Sequence, residues 1–305
     1  MARVLPMLLV LALLGCTAAA FAVTEGLKLE KSPITRTVVG KVVAPGSVAR
    51  ARVRITFVLR KRDRVSVVIV NRQGNVVRML GVTRRARSGT LGFLWNGRDD
   101  GGRVVPDGNY RPRVHLAGEH RTIVLPNSIR VDATAPLIQL VSVKPRVFSP
   151  DGDFQHDLIR LQYRANEQSR AIMYLNGQRR TTVYRYVRAG KFDWGGRAAL
   201  NIPAGTYRIY LRALDRAGNL SKPSRTVVVR VRYIKLQRHV LHVKSGALFR
   251  VRVLTDAKHY SWHLGSAGAV TRKHLLVVRA GPAGTYRLVV AANGHVSRAL
   301  VVVSP

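Results

Sequence analysis

Pro106-Asp107-Gly108-Asn109-Tyr110-Arg111 is a six-residue stretch that returns twice, as Pro203-Ala204-Gly205-Thr206-Tyr207-Arg208 and as Pro282-Ala283-Gly284-Thr285-Tyr286-Arg287. Proline presets φ for a turn, and glycine adopts backbone conformations that other residues avoid, so each copy predicts a reversal of the chain. A strand-like run follows each tyrosine. The repetition therefore predicts three related modules.

The tyrosine of each copy would enter a new strand directly after the turn. This placement resembles the tyrosine corner of immunoglobulin-like sandwiches, in which the ring enters the core and the hydroxyl bonds back to the backbone. The chain has 305 residues, of which 47% are hydrophobic, enough to form several cores. We expect an all-β protein made of tandem immunoglobulin-like or fibronectin-like β-sandwiches after an N-terminal hydrophobic helix.

The stretch before the first copy carries a second motif, Trp-x-Gly-x-Asp-x-x-Gly-x-x-Val-x-x-Gly-x-Tyr. It is occupied by Trp95, Gly97, Asp99, Gly102, Val105, Gly108 and Tyr110. This pattern resembles the immunoglobulin-like module of the bacterial flagellar hook-capping family. The resemblance implies a fold and an exported location. It does not imply the flagellar role, because the hook-binding portion of that family has no counterpart in the sequence.

Parts of this motif recur later in the chain, and we use them to predict where the modules begin and end. Trp194 and Gly196 repeat Trp95 and Gly97, and Phe148-Ser149-Pro150 resembles the opening of repeats in other secreted bacterial proteins. Trp262 stands farther from its proline than the other two tryptophans do, so we expect the third module to be smaller and diverged. The predicted segments are 1–23 (signal peptide or anchor), 24–36 (spacer), 37–135, 136–233 and 234–305.

Two local patterns predict particular strand pairs. The alternating runs at residues 52–60 and 64–70, separated by a short charged turn, are interpreted as adjacent strands. Asn176-Gly177 lies between two further strand-like runs and is a typical two-residue hairpin signal.

The N-terminus carries Arg3 and then an uncharged run from Val4 to Val23. Cleavage after the Ala20-Phe21-Ala22 motif, retention as a membrane anchor, and lipidation of Cys16 are three possible fates of this run. Each predicts an extracytoplasmic protein, either secreted or membrane-anchored in a bacterial cell envelope. Cys16 is the single cysteine, so the folded part contains no intramolecular disulfide.

Basic residues dominate the charge of the chain. Lys and Arg number 52 against 15 Asp and Glu, for a net charge of +37, and such a field attracts polyanions. The candidate binding residues lie in two predicted basic loops and are Arg84, Arg85, Arg87, Arg179 and Arg180. Anionic wall or lipid polymers are the expected partners, and nucleic acid is less favoured because the sequence has no recognition helix. The alternative is that arginine is simply the default solvent-facing residue.

Catalytic, metal and cofactor sites are not predicted. Asp151, Asp153 and Asp157 partly resemble a calcium loop, but the glycine and the carboxylate that complete such a loop are missing, so a polar turn is preferred. His259 and His263 would lie too far apart along a strand to share an ion. No serine lies in a nucleophile elbow.

The sequence thus predicts a non-catalytic binding or spacer protein of the cell envelope. Two alternatives stay open, an accessory subunit of an envelope enzyme or secretion complex, and an extracytoplasmic nucleic-acid binder.

Overall fold

The computed structural model describes residues 10–20, 32–195 and 202–305. Residues 10–20 form a helix, and the rest is built of strands, which confirms the predicted all-β class. Within these ranges no helix has the length and apolar character needed to cross a membrane. Arg3 and most of the predicted cleavage motif and spacer lie outside the described residues, and Cys16 is exposed on the helix.

The chain divides into two compact units, Met1–Ala133 and Thr134–Pro305. The first unit contains one β-sandwich with a single core, and the second contains two sandwiches, each with its own core. We call the three the first, second and third sandwich in chain order.

The first sandwich has nine strands: β1 (Ile34–Val39), β2 (Val42–Val43), β3 (Val53–Leu59), β4 (Asp63–Val70), β5 (Val76–Ala86), β6 (Gly89–Trp95), β7 (Gly108–Leu116), β8 (Arg121–Val124) and β9 (Ile129–Val131). One sheet has the order β1-β3-β6. The other has the order β2-β9-β7-β4-β5, with β8 on β7. The short β2 pairs parallel to β9, and the other pairs are antiparallel.

Buried and exposed side chains alternate along these strands, and the buried ones face the core. On β3, Val53, Ile55, Phe57 and Leu59 are buried and Arg54 is exposed, because successive side chains point to opposite faces of a sheet. The same alternation occurs on β4, which led us to predict that β3 and β4 pair. That prediction is wrong, since the chain crosses from one sheet to the other between them. Alternation shows which face is buried but does not identify the neighbouring strand.

The second sandwich repeats this order, and its described residues form seven strands: β10 (Ile138–Lys144), β11 (Val147–Phe148), β12 (Leu158–Leu175), β13 (Gln178–Thr182), β14 (Val187–Gly195), β15 (Gly205–Leu214) and β16 (Val227–Val231). Its β12 corresponds to β3 and β4 joined into one strand. The first half of β12 pairs with β10 and β14, and the second half pairs with β13 and β15. One strand therefore connects both sheets.

The third sandwich has eight strands: β17 (Lys235–Leu236), β18 (Val240–Lys244), β19 (Leu248–Leu254), β20 (Tyr260–Leu264), β21 (Ala267–Thr271), β22 (Leu275–Arg279), β23 (Gly284–Ala292) and β24 (His295–Ser304). Its sheets have the orders β17-β19-β22 and β18-β24-β23-β20-β21, which match those of the first sandwich. It therefore repeats both sheets of the first sandwich except for the short β8. Trp262 lies on β20, whereas Trp95 is the last residue of β6 and Trp194 the last but one of β14, so Trp262 is not their counterpart.

Candidate functional site

The repeated motif forms a corner at the start of β7. The Tyr110 hydroxyl donates to the Pro106 carbonyl at 2.8 Å, and the Tyr110 ring lies 5.4 Å from that of Trp95. The indole nitrogen of Trp95 donates to the Arg98 carbonyl at 2.9 Å. Burial, and secondarily the Asp107 carboxylate, raises the pKa of Tyr110, so the hydroxyl stays protonated and able to donate.

The two later copies build the same corner. The hydroxyl of Tyr207 donates to the Pro203 carbonyl at 2.7 Å, and that of Tyr286 donates to the Pro282 carbonyl at 3.0 Å. Trp194 lies 5.5 Å from the Tyr207 ring. Gly205 and Gly284 begin β15 and β23, as Gly108 begins β7, and Gly196 lies outside the described residues. These aromatic residues hold the chain reversal together and do not form an open binding platform.

The loop between β6 and β7 explains the other motif positions. Gly97 has φ of 71°, and a Cβ there would lie 2.8 Å from the Pro45 ring, so only glycine fits. An Asp99 carboxylate oxygen accepts the Arg103 N–H at 2.8 Å and closes the turn. Asp100 accepts the Met79 N–H at 3.0 Å, so the loop covers part of the outer edge of β5.

Four of the five candidate arginines lie on edge strands and not in the loops we predicted, and Arg87 lies in a connection. Arg84 and Arg85 are on β5 and Arg87 follows it, while Arg179 and Arg180 are on β13. Both strands occupy the same edge position in the first and second sandwich. Arg85, Arg87, Arg179 and Arg180 have exposed side chains. The positions are equivalent, but the local structure is a strand because each segment pairs with its neighbour on the inner side.

Further arginines line the outward faces of the sheets. Exposed examples at outward strand positions are Arg54, Arg64, Arg111, Arg130, Arg208, Arg230, Arg250, Arg252, Arg279 and Arg298. Most of the few acidic groups are engaged within the fold. Asp63, for example, accepts the backbone N–H groups of Gly118 at 2.6 Å and of Glu119 at 3.1 Å. The positive charge is therefore distributed over both units without local neutralisation at most positions.

The predicted polar turn contains an acidic cluster. Carboxylate oxygens of Asp151, Asp153 and Asp157 lie within 4.8 Å of one another. Asp157 accepts the backbone N–H groups of Gly152 at 2.8 Å and Phe154 at 2.7 Å, which is how an aspartate stabilises a turn. The Arg272 Nε–H donates to the His259 Nε2 at 2.6 Å, so His259 is engaged by a side chain of its own sandwich.

Several solved structures are similar to this chain. The I-band fragment I67–I69 from titin is 10% identical with a TM-score of 0.38, and the match covers 90% of this chain and 99% of that fragment. FlgD from P. aeruginosa is 20% identical with a TM-score of 0.24, covering 37% and 83%. E. coli alpha-2-macroglobulin is 11% identical with a TM-score of 0.26 over 90% of this chain, and this chain spans only 22% of its length.

No curated protein sequence matches this chain. A family model does match, and it is that of the FlgD Ig-like domain, over residues 44–119. The matched range includes Trp95, Gly97, Asp99, Gly108 and Tyr110, whose corner and loop are described above. The first unit therefore contains an immunoglobulin-like domain of the FlgD type, as the resemblance to the hook-capping family predicted.

Proposed function

We propose that this chain is a non-catalytic binding or spacer protein of the bacterial cell envelope whose basic sandwiches contact anionic wall or membrane polymers. An Ig-like domain of the FlgD type supports a structural or binding role and an extracytoplasmic location. The nature of the partner, an anionic polymer, is inferred from the charge of the chain.

The observation that carries this proposal is a net charge of +37 together with arginines at outward strand positions. A dense, rigidly displayed positive charge attracts polyanions over about one Debye length, roughly 10 Å at 0.1 M salt. Guanidinium groups also form two-pronged hydrogen bonds with carboxylates and phosphates. Arg84, Arg85, Arg87, Arg179 and Arg180 contribute to the positive charge that this proposal invokes, and basic residues on an edge strand also oppose pairing with other chains.

Co-sedimentation tests this proposal. The full chain is mixed with anionic phosphatidylglycerol vesicles or with oligogalacturonate on beads, and with uncharged vesicles or dextran beads as controls, at 50 and 500 mM salt. We expect retention on the anionic supports at low salt, loss of at least about tenfold at high salt, and no retention on the controls. No retention at low salt, or retention insensitive to salt, would contradict the proposal. Stronger retention on single-stranded DNA of equal charge would favour the nucleic-acid alternative instead.

A further inference from the structure

Two tyrosines stack on the outward face of the second sandwich. Tyr174 on β12 and Tyr210 on β15 are partners in register, and their rings lie 4.9 Å apart at an angle of 7°. This separation equals the spacing between neighbouring strands. The rings therefore lie side by side, each over its own strand.

Arginines surround this pair on the same face. Arg208 and Arg212 lie two residues before and after Tyr210 on β15, so their side chains leave the same face about 7 Å from it. Arg179 on β13 is the register partner of Tyr174. Neither β13 nor β15 contains an acidic residue. Within residues 32–195 and 202–305, no salt bridge engages Arg179, Arg208 or Arg212. Arg179 donates one hydrogen bond to the Thr182 hydroxyl at 2.9 Å, and the Nε–H of Arg212 donates to the Ser221 carbonyl at 2.7 Å, so neither guanidinium charge is neutralised.

The hydroxyl groups of the pair are free to bind a ligand. Both tyrosines are partly exposed. In the described part of the chain, the tyrosine hydroxyls that donate hydrogen bonds are those of Tyr110, Tyr207, Tyr233, Tyr260 and Tyr286, which leaves the hydroxyls of Tyr174 and Tyr210 available to a ligand.

We propose that this face, made of Tyr174, Tyr210, Arg179, Arg208 and Arg212, binds an acidic polysaccharide. Arginine forks match carboxylate groups, and phenolic hydroxyls exchange hydrogen bonds with sugar hydroxyls. A nucleobase would instead stack on a ring face, and the other tyrosine already covers one face of each ring. The inference rests on the proposed function and names the polymer class and the surface.

Binding of the full-length chain to oligogalacturonate by isothermal titration calorimetry tests the inference. Polyphosphate of equal charge, which has no sugar ring, and a single-stranded oligonucleotide serve as comparison ligands. We expect oligogalacturonate to bind more tightly than either at the same salt concentration. Tighter binding of the oligonucleotide would overturn the inference in favour of a nucleic acid.

Three double variants locate the surface. Tyr174→Phe with Tyr210→Phe keeps both rings and all charge but removes the hydroxyls, and we expect about tenfold weaker binding of oligogalacturonate. Arg179→Gln with Arg208→Gln should weaken it by a similar factor. The control, Arg250→Gln with Arg252→Gln, removes the same charge from outward positions of β19 in the third sandwich and should weaken it by no more than about threefold.

The outcomes separate this inference from the proposed function. If the wild-type chain binds no anionic polymer at low salt, the proposed function itself fails. If it binds and the tyrosine variant is unaffected, or the two arginine variants weaken binding equally, the charge is used diffusely and this face is not the site. Circular dichroism of each variant confirms that the sandwiches are folded.

Discussion

Tyr110 connects one turn of the first sandwich to its core through a single hydroxyl. The Tyr110→Phe variant keeps the buried ring beside Trp95 but loses the 2.8 Å bond to the Pro106 carbonyl. A neutral hydrogen bond of this kind contributes about 1 kcal/mol. We expect the first unit to lose about that much stability, with faster hydrogen exchange in peptides from β7 measured by mass spectrometry.

Tyr184→Phe is the matched control for this substitution, because Tyr184 is 83% exposed in a connection of the second sandwich. It should change the free energy of unfolding, as measured by hydrogen exchange, by less than about 0.5 kcal/mol. Equal effects of the two variants would mean that the corner bond does not contribute to stability.

Single residues explain why the hairpin prediction succeeded. Asn176 and Gly177 both have positive φ, 49° and 83°, and connect β12 directly to β13. A two-residue turn with positive φ at both positions matches the twist of the flanking strands. The prediction needed only these two residues, because the turn is determined by local backbone preferences.

At the scale of the element, Asp100 protects the free edge of β5. Its carboxylate accepts the Met79 N–H at 3.0 Å, and its own N–H donates to the Val77 carbonyl at 3.3 Å. The Asp100→Ala variant would expose the Met79 amide on a strand that also carries exposed Val76 and Val82. We expect at least about threefold faster exchange in a β5 peptide and more self-association in sedimentation velocity, because an open edge pairs with other chains.

Glu119→Ala removes one exposed negative charge from the same unit without touching β5 and serves as the control. If Asp100→Ala and Glu119→Ala change exchange and association alike, the effect comes from net charge and the edge is not protected by Asp100.

The predictions about elements failed where pairing is non-local. The runs that became β3 and β4 have the same alternation whether they pair or cross between sheets, so the sequence could not distinguish these arrangements. The arginine segments at β5 and β13 were expected to be loops because they are rich in charge. They form strands because an edge strand has one solvated side that accommodates arginine, while the other side pairs with the sheet.

At the scale of the whole molecule, two aspartates respond oppositely to pH. In the second unit, burial raises the pKa of Asp256, and the Asp151 and Asp153 carboxylates add to this effect. In the first unit, burial of Asp63 opposes ionisation, but backbone N–H donors from Gly118, Arg64 and Glu119 outweigh it and lower the pKa.

The signs of the two shifts give opposite predictions. Because the folded-state pKa of Asp256 is raised, the contribution of this residue to stability is full below the unfolded carboxyl pKa of about 3.9 and is lost as the pH rises through the folded pKa. Asp256→Asn should therefore stabilise the second unit at pH 7, and its advantage should disappear near pH 3. A lowered pKa stabilises at pH above about 3.9, and this contribution is lost as the pH falls through the folded pKa.

Asp63→Asn should accordingly destabilise the first unit at pH 7 by about 1–3 kcal/mol, since it weakens acceptance from buried donors. Differential scanning calorimetry of the full chain at pH 3 and pH 7 measures both variants, and each acts as the control for the other. If both variants shift the melting temperature in the same direction at pH 7, one of the two pKa shifts has been assigned the wrong effect on stability.

The sequence by itself determined the all-β class, the repeated corner and its tyrosine, the FlgD-type motif and the Asn176-Gly177 hairpin. Each of these depends on local backbone preference or on alternation along one strand, which few residues encode. Only the tertiary structure decided that the third sandwich repeats both sheet orders of the first, and that Tyr174 and Tyr210 stack among arginines. These features depend on which strands become neighbours, and that is set by packing between segments far apart in the chain.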